Sequence, residues 1–338
     1  MRFHMHLLPT YFPGMDPPFD VYYRQITEQV MLAEELGWDT FWCTEHHFLQ
    51  YGGLVPNPAV LMAALGARTS RIRLGSSISI LPLHHPLQIA EDYAMADVAS
   101  GGRLEFGIGM GNTPLDYQVY RVPLEGRRER LEESLEVILK AWSQERFSHH
   151  GEHWQMDDLA LYPRPIQQPH PPIWVAGGSE ESLGWAGRNG FSIMTVAHPY
   201  PPERLIPGMA AWRRGQEEGG IAPGTAHCKI HLRVWVDENS ERAREVAEAA
   251  IRRYDDLTQA GRMAREPIDA ATYDWAGMRA MGRNVYGNPD ECITAIQRCQ
   301  EHYDFDIFST AFNIGGIPHA EVTRSMRLFA KEVMPAFQ

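Results

Sequence analysis

Three groups of residues in this 338-residue sequence have side chains and spacings that could do chemistry. The first is Gly177-Gly178-Ser179, with Ser182 close behind. Glycines let a ligand approach the backbone closely. A helix starting just after them would present free N–H groups and the positive end of its dipole. With two hydroxyl donors added, the segment suits a phosphate; the plainer alternative is a glycine-rich turn with Ser179 as helix cap. The second group is Gly107-Ile108-Gly109-Met110-Gly111, with Asn112 after it, a looser glycine pattern that is frequent by chance. Two such turns together say more than either alone. The third is Glu45-His46-His47. Successive side chains of an extended segment point opposite ways, so at most one of these histidines can face a site. There it could relay protons near neutral pH; a buried, hydrogen-bonded structural histidine is the other reading.

These groups need elements that bring them together, and the chain alternates strand-like and helix-like segments. Arg2 to Leu8 reads as a strand, and Val21 to Leu36 as a helix with Val21, Ile26, Val30, Ala33 and Leu36 near one face, ended by Gly37. Thr40 to Cys43 is a short apolar strand, and Asn57-Pro58 opens a helix with a cap and a first-turn proline. Strand Ile72 to Leu81, helix Pro86 to Ala99 and strand Leu104 to Ile108 follow. Glu125 to Trp142 predicts a helix with the apolar stripe Leu131, Leu135, Ile138, Leu139 and Trp142. Phe147 to Leu161 reads as an irregular surface insertion, His149 and His150 solvent-exposed within it. The five prolines from Pro163 to Pro172 then make an extended connector, so about 147–170 stands outside the repeat. Strands Ile173 to Ala176, Ser192 to Val196, His227 to Val236 and Asp306 to Asn313 come next. The helices between and after them end near Asn189, Glu218, Ala260, His302 and Val333.

Eight strands with helices between them predict an α/β fold of the (β/α)8 TIM-barrel type, a single domain over 1–338. An open doubly wound sheet would need a glycine-rich turn after the first strand, where this chain has Pro9-Thr10-Tyr11-Phe12-Pro13. In a barrel the active site lies at the carboxyl ends of the strands, and all three groups fall there. The formal net charge of -12 argues against nucleic acid or an anionic membrane as partner. No stretch approaches the roughly 20 apolar residues of a membrane helix, and Met1 to Pro9 does not have the form of a secretory leader. Cys43, Cys228, Cys292 and Cys299 form no CxxC pair, which fits reduced thiols in the cytoplasm.

The run Glu34-Glu35-Leu36-Gly37-Trp38-Asp39 to Trp42, then Thr44-Glu45-His46-His47-Phe48, resembles the first helix and second strand of bacterial luciferase-like flavin-dependent monooxygenases. The likeness continues through Asn57-Pro58, Gly66-Ala67-Arg68-Thr69, Leu81-Pro82, His85-Pro86, Ala90-Glu91-Asp92 and Gly102-Arg103-Leu104-Glu105-Phe106-Gly107. Pro171 to Gly178, Gly287-Asn288-Pro289 and Val333-Met334-Pro335 extend it over nearly the whole chain. The resemblance implies an oxidoreductase that binds reduced FMN at the barrel mouth, supplied by a separate flavin reductase, and uses oxygen on a small organic substrate. The protein's task would be to hold the flavin, exclude water and orient the substrate. His46 matches the family's catalytic histidine. Ser179 and Ser182, with the backbone at Gly177 and Gly178, match its phosphate site, and Ser77 and Ile78 match a position where several members place a non-proline cis peptide against the flavin. Met110 and Asn112 fall at the cofactor, and His6, Trp42 and His47 are expected around the substrate. Family members usually pair through their second and third helices, so a homodimer is expected.

The sequence departs from luciferase itself where Gly109 and Met110 replace a cysteine and a phosphate-binding arginine. Asn112, Tyr117 or one of Arg127 and Arg128 would have to compensate, and light emission is not expected. A deazaflavin-dependent oxidoreductase of the same superfamily is the alternative. A metal-dependent barrel hydrolase would use His4, His6 and His198, but the strand ends at Gly109 and Ala176 offer no further ligand, and no metal is expected. The segment from roughly Gly261 to Asn284, with Met263, Met278 and Met281 among glycines, is expected to close the mouth as a lid.

Overall fold

Every strand expected from the sequence forms, and the strands join edge to edge into a closed parallel barrel in a computed structural model that describes residues 1–197, 202–261 and 284–338. In chain order they are β1 (Arg2–Leu7), β2 (Thr40–Cys43), β3 (Arg73–Ser76, resumed at Ser79–Ile80), β4 (Leu104–Gly109), β5 (Ile173–Ala176), β6 (Ser192–Val196), β7 (Cys228–Val236) and β8 (Ile307–Ala311). The register Arg2↔Ile307 to Met5↔Thr310 joins β1 to β8, and Ile230↔Thr195 joins β7 to β6, so the ring has no free edge.

Alternation along each strand decides what the barrel holds. On β1, Phe3, Met5 and Leu7 face outward into the main apolar core under the helices, while His4 and His6 face inward. The outer layer comprises α1 (Phe19–Leu36), α2 (Pro58–Gly66), α3 (Pro86–Ser100), α4 (Pro114–Tyr120), α5 (Arg127–Ser143), α6 (Glu180–Arg188), α7 (Pro202–Glu218), α8 (Ser240–Gly261), α9 (Pro289–His302) and α10 (His319–Leu328). Their ends follow local chemistry. Gly37 closes α1 at φ 95°, the Asn57 side chain accepts the Val60 N–H at the start of α2, and Asn288 and Glu291 form a capping box on α9.

The barrel floor is packed, as the fold requires. Trp42 is fully buried, its Nε1 donating to His4 Nδ1 at 2.9 Å, and its ring meets Trp174 edge to face at 5.2 Å and Lys229 Nζ at 3.8 Å. Trp174 Nε1 donates to Glu105 Oε2 at 2.6 Å.

Four local expectations change. The strand expected over Ile72 to Leu81 is interrupted at a cis peptide between Ser77 and Ile78. The insertion is an antiparallel hairpin, Phe147–His150 against Gln155–Leu159. His149 on that hairpin is buried against α5, bonded to Glu133 at 3.1 Å, whereas His150 is exposed as expected. The last helix gives way to a π turn at Phe329–Val333. The expected lid, and His198, lie outside the described residues.

Candidate active site

The carboxyl ends of the strands divide into two unlike walls. On β4 and β5 the inward positions are Gly107, Gly109 and Ala176, continued by Gly177. A Cβ on Gly107 would overlap the Ser76 carbonyl oxygen and come within 2.7 Å of Met194 Cε, and one on Gly109 would overlap Ile78 Cδ1. Gly107 and Gly109 admit only hydrogen without displacement and Ala176 adds one methyl, which leaves a flat wall edged by the half-buried Ser77, Ile78 and Met110. Tyr117 is buried and donates its hydroxyl to the Met110 carbonyl, so it holds the loop rather than facing it; Asn112 is exposed.

The opposite wall, formed by neighbouring strands β2, β1, β8 and β7, is polar. His6 and His231 lie with ring centroids 4.0 Å apart. Burial holds His6 well below the ordinary imidazole range and pushes His231 down to about 3, helped by the cations Lys229 and Arg233. Both are therefore neutral at physiological pH. His6 Nδ1, Thr44 Oγ1, His231 Nδ1 and Ser309 Oγ are buried and have no hydrogen-bond partner among the described residues. Buried polar atoms are ordinarily satisfied, so four on one wall mark a surface made for a polar ligand. His46 is half-buried above them, its ring 5.0 Å from that of Tyr51, and Gly52 packs where a Cβ would overlap His46 Cδ2.

Beyond the flat wall lies the start of α6. Ser179 is its N-cap and accepts the Ser182 N–H at 3.3 Å, and Ser182 Oγ would lie 3.0 Å from a Cβ on Gly177. The cap uses an acceptor lone pair of Ser179 and leaves its O–H to donate. Glu180 and Glu181 oppose an anion here, but each has a cation: Arg214 reaches Glu180 at 3.2 Å and Arg128 of α5 reaches Glu181 at 3.5 Å. Arg128 thus stands at the helix start, one of the arginines the sequence left open.

Of the residues expected around the substrate, Trp42 is fully buried, in register with His6 and packed against Ile78 and Ala176. His47 points outward, because Glu45 and His47 share one side of the extended segment and His46 takes the other. Its Nε2 donates to Glu45 Oε1 at 2.9 Å, as does His84 Nε2 at 2.6 Å, and its Nδ1 meets the Tyr120 hydroxyl at 3.2 Å. These groups border a side cavity of about 360 Å3 together with Asn57, Pro58, Gln88 and Asp92. By spacing, Glu45, His47 and His84 could hold a metal ion, with ligand atoms within 4.8 Å of one another. Their hydrogen bonds already satisfy one another. Of the three histidines a hydrolase would use, His4 accepts the Trp42 N–H at Nδ1, and His198 lies outside the described residues. Sequence reasoning missed Thr44, His84, Tyr120, His231 and Ser309; only the strand period could have flagged His231 and Ser309, as inward positions.

Residues 1–303 match the model of the luciferase-like monooxygenase family. The oxygenase component of flavin-dependent trigonelline monooxygenase from Acinetobacter baylyi is 34% identical over 52% of this chain and 48% of its own length. The uncharacterized protein y4vJ of Sinorhizobium fredii is 35% identical over 52% of this chain and 49% of its own. The chain thus spans about half the length of these curated relatives. The alkanal monooxygenase alpha chain of the Kryptophanaron alfredi symbiont is 25% identical over 99% of this chain and 98% of its own. Among solved structures, monooxygenase RslO1 from Streptomyces bottropensis superposes with a TM-score of 0.93 at 27% identity, both chains fully covered. The oxygenating constituent of 3,6-diketocamphane monooxygenase from Pseudomonas putida, in complex with FMN, shares the fold at TM-score 0.82 and 20% identity over 100% of this chain and 99% of its own. An F420-dependent secondary alcohol dehydrogenase shares it at 0.76 and 18%, again over 100% and 99%.

Proposed function

The chain belongs to the luciferase-like monooxygenase family, and we propose that it is the oxygenase of a two-component system, taking reduced FMN from a separate reductase and using oxygen to oxygenate a small organic substrate without emitting light. The observation that carries this reading is the divided mouth: a flat wall at Gly107, Gly109 and Gly177 that any Cβ would crowd, facing a polar wall on which His6 Nδ1, Thr44 Oγ1, His231 Nδ1 and Ser309 Oγ have no partner among the described residues. A planar ring system fits the first wall and an oxygen-bearing substrate the second. The names of the trigonelline and diketocamphane enzymes support flavin and FMN respectively.

Reduced FMN, when bound, supplies the electrons that activate oxygen. The chain's own residues do the rest. The backbone at Gly177 and Gly178, the hydroxyls of Ser179 and Ser182 and the cation of Arg128 would hold the phosphate. Ser77, Ile78, Met110 and Asn112 would border the ring. His46 can hold or deliver a proton at the mouth, and neutral His6 and His231 can each give and accept one hydrogen bond without adding charge. Packing of the floor around Trp42 keeps water from entering below. Met110 brings no cation, so luminescence is not expected.

Exposed Val60 on α2 and Met95 and Val98 on α3 support a homodimer through those helices. The four buried free cysteines suit a reducing, cytoplasmic setting. The test is oxygen uptake by the purified chain with FMN and NADH, with and without an added flavin reductase, beside a parallel assay with reduced F420. Uptake only when reductase and FMN are both present is expected. Turnover with NADH alone, or hydride transfer from reduced F420 to an added ketone, would overturn the reading.

A further inference from the structure

We propose that Glu45 is a positioning residue: its one buried carboxylate ties the loop that follows β2 to the end of β3 and the loop after it, and through His47 reaches α4, and so fixes His46 toward the mouth. The inference rests on the mouth being the reaction site. Glu45 Oε1 accepts from His47 at 2.9 Å and from His84, just ahead of α3, at 2.6 Å; Oε2 accepts the Ile80 N–H at 3.1 Å. An ionised carboxylate only accepts, so both imidazoles donate through Nε2, and His47 Nδ1 is left to accept from Tyr120 on α4. The network therefore joins two strand-end segments directly through the Glu45 side chain and a third, at α4, through His47. Ile80 closely follows the Ser77–Ile78 edge of the flat wall, so the same carboxylate holds that wall in register with His46.

The direction of His46 follows from this anchoring. Glu45 and His47 are fastened on the outer side of an extended segment, which leaves His46 only the inner side. Without the carboxylate, the buried N–H donors of His47 and Ile80 and the half-buried one of His84 lose their acceptor, and an unsatisfied buried donor costs more than its bond contributed. The segment would then turn to find new acceptors, and His46 would turn with it. Burial alone would push the Glu45 carboxyl up; His47 and His84 reverse this and hold it down to about 2, so the acceptor stays charged at working pH.

The test uses the full chain as wild type, Glu45→Gln, His46→Asn and the double variant. One affinity and one rate are read: anaerobic affinity for reduced FMN, and the rate of hydrogen peroxide release after mixing with oxygenated buffer without organic substrate. We expect Glu45→Gln to leave affinity within about threefold while speeding peroxide release about tenfold, as His46→Asn does, with the double variant no worse than either single one. Additive effects, or an affinity loss as large as the change in release, would overturn the proposal. His84→Gln and Tyr120→Phe each remove one link and should shift release in the same direction by less, which keeps the test open if Glu45→Gln does not fold. A readout independent of flavin is labelling of His46 by diethyl pyrocarbonate in the apo protein, followed by mass spectrometry with exposed His302 as reference. Glu45→Gln should change His46 labelling at least about threefold relative to His302; unchanged labelling would overturn the proposal even if flavin failed to bind. Stoichiometric transition metal in the wild-type protein, lost in His84→Gln, would also overturn it, by making the cluster a metal site.

Discussion

At Glu45 burial and pairing oppose each other on one carboxyl, and pairing wins. The partner His84 shows the complement: burial works to lower its imidazole, but the bond and charge of Glu45, then the charge of Asp92, raise it above the ordinary 6.5. The two shifts fix a pH window. Glu45 has a depressed value, so its contribution to stability is present above the ordinary 4.5 and fades as pH falls toward 2. His84 has a raised value, so its contribution is complete below 6.5 and is lost as pH climbs through the raised value. His84→Gln should therefore cost about 2 kcal/mol near pH 6 and progressively less toward about pH 9, read from chemical denaturation at each pH. A gap that stays constant across that range would show that the imidazole is not charged in the fold.

Among the elements, the glycines of β4 separate stability from binding. A Cβ at Gly107 meets the Ser76 backbone, which cannot move cheaply, so Gly107→Ala should destabilise by about 1–3 kcal/mol. A Cβ at Gly109 meets only the tip of Ile78. Gly109→Ala should therefore change stability by under about 1 kcal/mol while pushing Ile78 into the mouth and weakening FMN binding; thermal melts beside a flavin titration check both. At the start of α6, Arg128→Ala should weaken FMN binding about tenfold or more and leave riboflavin, which has no phosphate, unaffected. Equal loss for both ligands would place the phosphate elsewhere. These elements were legible in the sequence because apolar runs, glycine stops and Asn-Pro openings mark strand and helix ends locally. The hairpin at Phe147–Leu159 was not, since alternate polar residues there are held by α5 through Glu133 and Ser134, a tertiary arrangement with no local sign. The site was legible along the strand ends but not around them. His46 and Ser179 sit in recognisable runs, whereas His231 and Ser309 become neighbours of His6 only through barrel closure. His47 turns away from the mouth, because proximity in sequence to the mouth does not say which side of an extended segment a residue faces.

For the whole molecule, closure of eight strands creates one mouth from residues spread between His6 and Ser309, and the helices outside decide what else the surface can do. The apolar side chains left exposed on α2 and α3 predict a dimer. Val60→Glu with Met95→Glu should yield a monomer by light scattering at micromolar concentration where the wild type is dimeric, while a wild type already monomeric would contradict the pairing. The mouth itself is tested most directly by anaerobic equilibrium titration of the purified chain with FMN in its reduced and oxidised forms and with reduced F420. Saturable one-to-one binding of reduced FMN is expected, tighter than that of oxidised FMN, abolished by Ser179→Glu and weakened by Arg128→Ala. Binding of reduced F420 with no affinity for reduced FMN, or FMN binding indifferent to Ser179→Glu, would contradict it.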